Sequence, residues 1–249
     1  MLKNIHIILI GVALFILLQT FLDTVFAVFA TIVIILSWIA FNIFSIKHSL
    51  FLKSICRIQT KEKIVFLSFD DGPSDIFTPV ILDTLKQNNL RALFFCIGQH
   101  AELYPELIKR IFDDGHRIGN HTYSHNWRNS YKPSGIIEAE INHTNDIISK
   151  IIGQKTTLFR PPFGITNPSI AKALKGSGLH SVGWDIRSFD TISKYPQKLI
   201  RRISKKLRPG SIILLHDNRE ITSLILNELI QTIQKKGYKI LPLPELESI

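Results

Sequence analysis

Two adjacent acidic residues, Asp70 and Asp71, lie where a short apolar segment gives way to a turn. Residues 64–67 are all apolar and predict a buried strand, and the glycine–proline pair at 72–73 predicts the turn that follows. Two neighbouring carboxylates repel each other, and a cation bound to one of them would remove that repulsion. A bare pair of aspartates is equally consistent with a solvated turn, so its interpretation depends on residues further along the chain.

Two histidines, His121 and His125, are four residues apart in the segment NHTYSH (120–125). If this segment is helical, both imidazoles lie on one face, which is a spacing used to bind a metal ion. The spacing alone is a weak signal. Combined with the carboxylates of Asp70 and Asp71, it predicts a site for zinc or a similar divalent ion with positions left open for water and substrate.

Three further segments carry polar residues at the ends of predicted strands. The segment RPPFG (160–164) is a rigid loop that could aim an arginine or a backbone N–H, although a structural turn is the alternative. The segment WDIRSFD (184–190) brings charges to the same end of the sheet. His216 follows a nearly all-aliphatic strand, a suitable position for a general acid or base.

Alternation of strand and helix patterns from residue 63 onward predicts an α/β domain. Because the candidate residues follow strands, we expect a barrel-like sheet with the site at the carboxyl ends of its strands. About 187 residues are few for eight full β/α units, so the predicted fold class is a distorted, incomplete (β/α) barrel. The predicted strands are 64–69, 92–97, 116–119, 157–160, 180–185, 211–215 and 238–241, and the predicted helices are 77–88, 101–113, 134–152, 167–176, 196–206 and 220–236.

Residues 5–44 are almost continuously apolar, which is too long for one membrane crossing or for a signal peptide. They predict two transmembrane helices, Ile5–Leu22 and Val25–Phe44, joined by a tight turn at Asp23; a single long span or a buried hairpin is the alternative. The division of the chain is then a membrane anchor at 1–45, a basic juxtamembrane linker at 46–62 and a catalytic domain at 63–249.

Lysines and arginines flank both ends of this hairpin, whereas its turn has no basic residue. The positive-inside rule therefore favours a catalytic domain on the cytoplasmic side of a bacterial-type inner membrane. The formal net charge of +10 suits an anionic lipid surface. The mixed apolar and basic residues 45–62 predict an interfacial linker along anionic headgroups, with an ordinary solvated linker as the alternative. Nucleic acid is not expected, because the chain has no arginine-rich block. Two cysteines, Cys56 and Cys96, cannot form a disulfide framework.

The ordered set SFDDGPS, HTYSH, RPPFG, RSFD and LLHD resembles the polysaccharide deacetylase family, also called the NodB-homology or carbohydrate esterase family 4 domain. The resemblance covers residues 63 to about 245. It implies a NodB-type barrel and a hydrolase that depends on one divalent metal ion, zinc first, with cobalt, nickel or manganese as alternatives.

The resemblance also implies a role for each matching residue. Asp71, His121 and His125 match the family's metal ligands. Asp70 matches the catalytic base, and Arg160 matches the arginine that pairs with this base. The remaining matches are His216 as the catalytic acid, Asp190 as the residue that orients it, the backbone N–H of Phe163 as the oxyanion donor, and Leu214 as the lining of the acetyl pocket.

Three positions depart from the family pattern. Thr191 stands where a tryptophan is frequent, and Arg187 stands where many members carry an acid. These two departures concern the acyl pocket and sugar specificity and leave the metal and acid/base residues intact. Phe163 stands where tyrosine is common, which matters little because the backbone of this residue is used.

The expected function is hydrolysis of an N-acetyl or other N-acyl group from an amino sugar in a glycan or polysaccharide. The first alternative is a deacylase or deformylase of a lipid-linked amino sugar at the inner membrane leaflet. The second is a catalytically inactive, membrane-anchored glycan-binding protein. A metal phosphoesterase is disfavoured, because it would have no use for an aliphatic pocket at Leu214.

Overall fold

A computed structural model of the chain describes residues 2–19, 24–48 and 50–244. Within them, eight parallel strands form one curled sheet with the order β5-β4-β3-β2-β1-β7-β6, and β8 pairs with the start of β1. The sheet is an incomplete barrel, as the sequence predicts. The strands are β1 Ile64–Asp70, β2 Leu93–Cys96, β3 Arg117–Asn120, β4 Leu158–Phe159, β5 His180–Ser181, β6 Ile186–Arg187, β7 Ser211–His216 and β8 Lys239–Ile240.

Nine α-helices connect or precede these strands in the described residues. The predicted helix 101–113 is in fact two helices, because Pro105 has no N–H to continue the first and begins the second. The helices are α1 Leu2–Gln19, α2 Thr24–Ile43, α3 Phe77–Gln87, α4 Gly98–Leu103, α5 Pro105–Asp113, α6 Ser134–Ile152, α7 Pro168–Leu174, α8 Pro196–Lys206 and α9 Glu220–Lys235, with short 3-10 turns at Trp127–Tyr131 and Pro162–Gly164.

The central strands β1 and β7 are buried along almost their whole length, which explains their continuous apolar sequences. Alternate side chains of β1 enter different cores. Leu67 packs in the layer between the sheet and the surrounding helices, whereas Phe66 packs inside the barrel. The two cores hold the strands in register, so that Asp70 and His216 are directly paired at the carboxyl ends of β1 and β7.

Residues 50–62, most of the predicted linker 46–62, pack against the open side of the barrel. Ile55 forms a parallel bridge with Val182 beyond β5, and Arg57 forms an antiparallel bridge with Ser211 at the start of β7. The segment therefore joins the chain just beyond β5, at one edge of the sheet, to the start of β7 near the other edge. Leu52 adds an apolar contact with the core beneath α7.

Asp185 ties this segment to the barrel. Its buried carboxylate accepts hydrogen bonds from Lys47 at 3.1 Å, Arg208 Nε at 2.7 Å and Ser211 Oγ at 2.6 Å. Burial alone would raise the pKa of Asp185, but hydrogen bonds from Arg208, Ser211 and Lys47 outweigh it and hold the pKa well below its usual value.

Helix α2 (Thr24–Ile43) is long and apolar enough to cross a membrane, and the apolar part of α1, Leu9–Gln19, is shorter. A signal sequence has the same properties, so the predicted pair of transmembrane helices is not confirmed. The predicted turn at Asp23 lies outside the described residues. At its other end, α2 is joined to the barrel, because Thr166 donates its backbone N–H to the carbonyl of Ile43 at 2.8 Å.

Replacing Asp185 by Asn should lower the free energy of unfolding by about 2 kcal/mol, because three donors would lose a charged acceptor. This loss is smaller than the loss expected for a fully buried ion pair, because Lys47 and Arg208 are half-exposed. Urea unfolding followed by the fluorescence of the adjacent Trp184 measures the change. Because the pKa of Asp185 is lowered, the wild-type advantage should be full near neutral pH and should shrink below about pH 4.

The matched control is Asp113→Asn, which removes an exposed pair with Lys109 on the surface of α5. It should change the free energy of unfolding by less than about 0.5 kcal/mol. Equal effects of the two substitutions would contradict the role assigned to Asp185.

Candidate active site

A buried ion pair lies at the carboxyl end of β1. Arg160 follows β4 and is completely buried, and its Nη1 donates to Asp70 Oδ1 at 2.5 Å and to Ser68 Oγ at 3.0 Å. The other guanidinium nitrogens donate to the carbonyls of Val182 at 2.9 Å and Gly183 at 2.8 Å. Each side of the guanidinium therefore has a fixed acceptor, which is the condition under which a buried charge is tolerated.

An aromatic ring supports this guanidinium. The ring centroid of Phe95, on β2, lies 4.0 Å from Arg160 Cζ. The ring can occupy this place because residue 119 of β3 is glycine; a Cβ there would stand 2.5 Å from the Phe95 ring. Gly119 thus indirectly positions the arginine that holds Asp70.

Three candidate metal ligands converge beside Asp70. Asp71 Oδ1 lies 3.5 Å from His121 Nε2 and 3.3 Å from His125 Nε2, and all three donor atoms lie within 4.8 Å of one another. Two tetrahedral ligand atoms, each about 2.0–2.1 Å from a zinc ion, are about 3.3–3.4 Å apart. The spacing and the donor types therefore suit zinc or a similar divalent ion.

The segment that contains the two histidines is a loop and not a helix. The two imidazoles nevertheless lie side by side, so the helical condition attached to their spacing is not what brings them together. Thr122 and His125 have left-handed backbone angles, with φ of 63° and 49°, and the ring centroids of His121 and His125 lie 4.7 Å apart. Asp71 is also left-handed, with φ of 71°. Such backbones cost energy for residues other than glycine, and they bring these three side chains together.

The surroundings prepare the histidines for a cation. His121 Nδ1 lies 2.7 Å from the carbonyl of Arg160, so the nitrogen that carries the proton is Nδ1 and the lone pair of Nε2 faces Asp71. Burial, with the nearby His121, lowers the pKa of His125 to about 3. The His125 ring is therefore neutral at physiological pH, as metal binding requires, and the His121 ring turns Nε2 toward the same space.

His216 faces the same space from the end of β7. Its Nδ1 lies 2.7 Å from Asp190 Oδ1, and its backbone N–H donates to Asp190 Oδ2 at 2.8 Å. Thr222 and Ser188 donate their hydroxyls to the same carboxylate at 2.7 and 2.8 Å. Burial lowers the pKa of His216, but the hydrogen bond to Asp190 and its charge outweigh burial, so the net shift is upward.

A cavity of about 220 Å³ connects these groups. Seven of the nine predicted site residues line it, and Arg160 and Asp190 lie behind Asp70 and His216, respectively. Arg187 and Thr191, two of the positions that depart from the family pattern, also line it. The full lining is Asp70, Asp71, His121, His125, Phe163, Trp184, Arg187, Thr191, Leu214, His216 and Arg219.

A family model described as polysaccharide deacetylase matches residues 57–182. The chain belongs to the polysaccharide deacetylase family. A peptidoglycan-N-acetylglucosamine deacetylase of Bacillus cereus is 31% identical over 195 residues, which cover 76% of this chain and 91% of that protein. The peptidoglycan-N-acetylmuramic acid deacetylase PdaC of Bacillus subtilis is 31% identical over 192 residues, which cover 77% of this chain but only 40% of that longer protein.

The curled parallel barrel is the fold of this family's catalytic domain. The crystal structure of BA3943 from Bacillus anthracis, described as a CE4 family pseudoenzyme, matches with a TM-score of 0.72 at 27% identity. The match covers 78% of this chain and 68% of that chain. Because a family member can lack activity, the catalytic groups of each polysaccharide deacetylase have to be judged individually.

Several residues that shape this site carry no local signal of that role in the sequence. Thr222 lies inside α9, far along the chain from Asp190. Asp217 stands directly after His216; its carboxylate accepts from Thr78 Oγ1 at 2.6 Å, and burial raises its pKa to about 7. A Cβ on Gly72 would stand 2.0 Å from Asp217 Oδ2, so the turn after Asp71 requires glycine to pass this carboxylate.

Replacing His125 by Ala should weaken zinc binding at least about 100-fold, because one of three protein ligands is lost. Isothermal titration of the purified full chain with Zn²⁺ measures the dissociation constant, and we expect one zinc per chain. The matched control is His180→Ala. His180 is exposed at the amino end of β5, so this variant should bind zinc as the wild type does. Equal zinc affinity of the His125→Ala and wild-type chains would rule out this metal site.

Proposed function

We propose that this chain is a metal-dependent hydrolase that removes the N-acetyl group of an amino sugar in a glycan. The observation that carries the proposal is the arrangement of two titratable groups with opposite partners on one cavity. Asp70 has an arginine behind it, and His216 has an aspartate behind it. Such a pair is the arrangement expected of a general base and a general acid.

Asp71, His121 and His125 would hold the divalent ion, with zinc as the first candidate. When bound, the ion supplies a Lewis acid that polarises the acyl carbonyl and makes water a better nucleophile at neutral pH. The chain's own contribution is to hold the three donor atoms close together.

Asp70 is the proposed base. Its Oδ1 is held by Arg160, whereas its Oδ2 lies 3.7 Å from His121 Nε2 and so faces the proposed metal position. Oδ2 can therefore accept a proton from a water that attacks the acyl carbon. Arg160 stabilises the negative charge that makes Asp70 an acceptor, and it prevents rotation of the carboxylate.

His216 is the proposed acid. In its charged form it donates the Nε2 proton to the sugar nitrogen as the carbon–nitrogen bond breaks, which gives acetate and a free amine. Asp190 accepts from Nδ1 and raises the pKa of His216, so the imidazolium persists to higher pH than it would without this partner.

Two further groups would position the acyl group. The backbone N–H of Phe163, whose φ is 60°, is the proposed donor to the developing oxyanion. Leu214 lines the cavity beside His216 and would pack against the acetyl methyl group. Peptidoglycan-type glycans are the proposed substrate class, because the similar proteins of Bacillus are named as peptidoglycan deacetylases.

Helix α2 is the proposed membrane anchor, and its hydrogen bond to Thr166 would keep the barrel close to the bilayer. A lipid-linked amino sugar is the alternative substrate, and only the proposed position of the barrel close to the bilayer favours it. A catalytically inactive glycan-binding protein is disfavoured, since the base, the acid and the three metal donors are all present and line one cavity.

Replacing Asp70 by Asn should reduce acetate release from an N-acetylglucosamine oligomer at least about 100-fold, because the proton acceptor is lost. Zinc binding should persist, since Asp70 is not a proposed ligand. Enzymatic detection of acetate and zinc titration of the same preparation measure the two effects. His121→Ala should lose both properties.

The matched control is Asp75→Asn, an exposed aspartate just beyond the same turn, which should retain activity. Wild-type rates of acetate release from the Asp70→Asn chain would show that another residue is the base. Absence of acetate release from the wild-type chain on every acetylated glycan tested would support the inactive binding protein instead.

A further inference from the structure

Two arginines on the cavity have no part in the proposed chemistry. Arg187 extends from the end of β6, and Arg219 stands three residues after His216, at the start of α9. Both line the same space as Asp71 and His216. Their side chains are exposed, so both guanidinium groups are accessible to a bound substrate.

Neither arginine is neutralised by a carboxylate in the parts of the chain that the structure describes. The nearby acidic residues have other partners. Arg160 pairs with Asp70, His216 pairs with Asp190, and a bound divalent ion would take the charge of Asp71. With the ion bound, the mouth of the cavity therefore carries an excess of positive charge.

Aromatic rings hold Arg187 in place. Its Cζ lies 4.9 Å from the centroid of the Phe189 ring and 5.9 Å from that of Trp184. Arg202 of α8 lies over the same Phe189 ring at 4.0 Å but does not line the cavity. An arginine stacked in this way keeps its N–H edges free, and those edges match the oxygens of a carboxylate or phosphate.

We infer that Arg187 and Arg219 bind an anionic group on the amino sugar, a carboxylate or a phosphate, close to the acyl group that is removed. This inference rests on the proposed deacetylase function and adds a substrate class to it. The chain should prefer acidic amino sugars over neutral ones. A neutral glycan would leave two cations at the mouth without a counter-ion, whereas an acidic glycan would form charge-assisted hydrogen bonds with them.

The test compares acetate release from three substrates by the zinc-loaded full chain. These are a neutral N-acetylglucosamine oligomer, an oligomer of similar length in which alternate sugars are N-acetylmuramic acid, and N-acetylglucosamine 1-phosphate. The second substrate carries a carboxylate and the third a phosphate, so the preferred one identifies the anion. The measured quantity is kcat/KM for each acidic substrate divided by kcat/KM for the neutral oligomer.

We expect this ratio to exceed one in the wild type and to fall about tenfold in Arg187→Gln and in Arg219→Gln, mainly through KM for the acidic substrate. Arg187→Lys should retain part of the preference, since it keeps the charge but loses the planar fork. Raising the salt concentration should lower the wild-type ratio. The matched control is Arg202→Gln, which removes an arginine from the same Phe189 ring and should keep the wild-type ratio.

A wild-type ratio of one or less for both acidic substrates, with robust hydrolysis of the neutral oligomer, would overturn the inference and leave the deacetylase function standing. An equal fall of the ratio in Arg202→Gln and Arg187→Gln would also overturn it, because the effect would then come from the packing of Phe189. Absence of acetate release from all three substrates would instead contradict the proposed function.

Discussion

The buried pair of Arg160 and Asp70 is the interaction on which the rest of the site depends. A completely buried guanidinium is stable only if each of its donors has an acceptor, and the barrel supplies these from β1 and from the residues after β5. Removing either partner would leave the other charge buried and would cost about 3–5 kcal/mol. The pair therefore links the stability of the barrel to the position of the proposed base.

The same pair explains how two adjacent aspartates come to have different environments. Asp70 is the last residue of β1 and points inward to Arg160, whereas Asp71 begins the turn in a left-handed conformation and meets the histidines. The carbonyl of Arg160 also orients His121 through Nδ1. The one residue that follows β4 thus fixes the carboxylate of the proposed base and one of the three candidate metal ligands.

The sequence predicts most of the fold because its signals are local. Continuous apolar runs identify β1 and β7, and prolines and glycines mark most helix ends. Prediction from the sequence fails where a strand is short or the decisive contact is distant. Strand β6 has only two residues, and the docking of Ile55 and Arg57 depends on residues more than 120 positions further along the chain. His121 and His125 do lie together as predicted, but strained backbone angles in a loop, and not a helix, bring them together.

The site residues were identified by their order along the chain and by the family resemblance, and the geometry brings them onto or behind one cavity. The sequence does not indicate which other residues hold these side chains in position. Thr222 reaches Asp190 from a helix 32 residues away, and Gly119 acts on Arg160 only through Phe95. Such contacts depend on tertiary packing and leave no local pattern. Arg219 likewise becomes a cavity residue only once α9 is placed beside β7.

We propose that Asp71 binds the metal ion while Asp70 remains free to take a proton. The zinc X-ray absorption spectrum of the zinc-loaded full chain, compared between the wild type, Asp70→Asn and Asp71→Asn, tests this division of roles. We expect an unchanged zinc coordination in Asp70→Asn and a lost or altered zinc site in Asp71→Asn. A zinc coordination that changes in Asp70→Asn and is preserved in Asp71→Asn would contradict it.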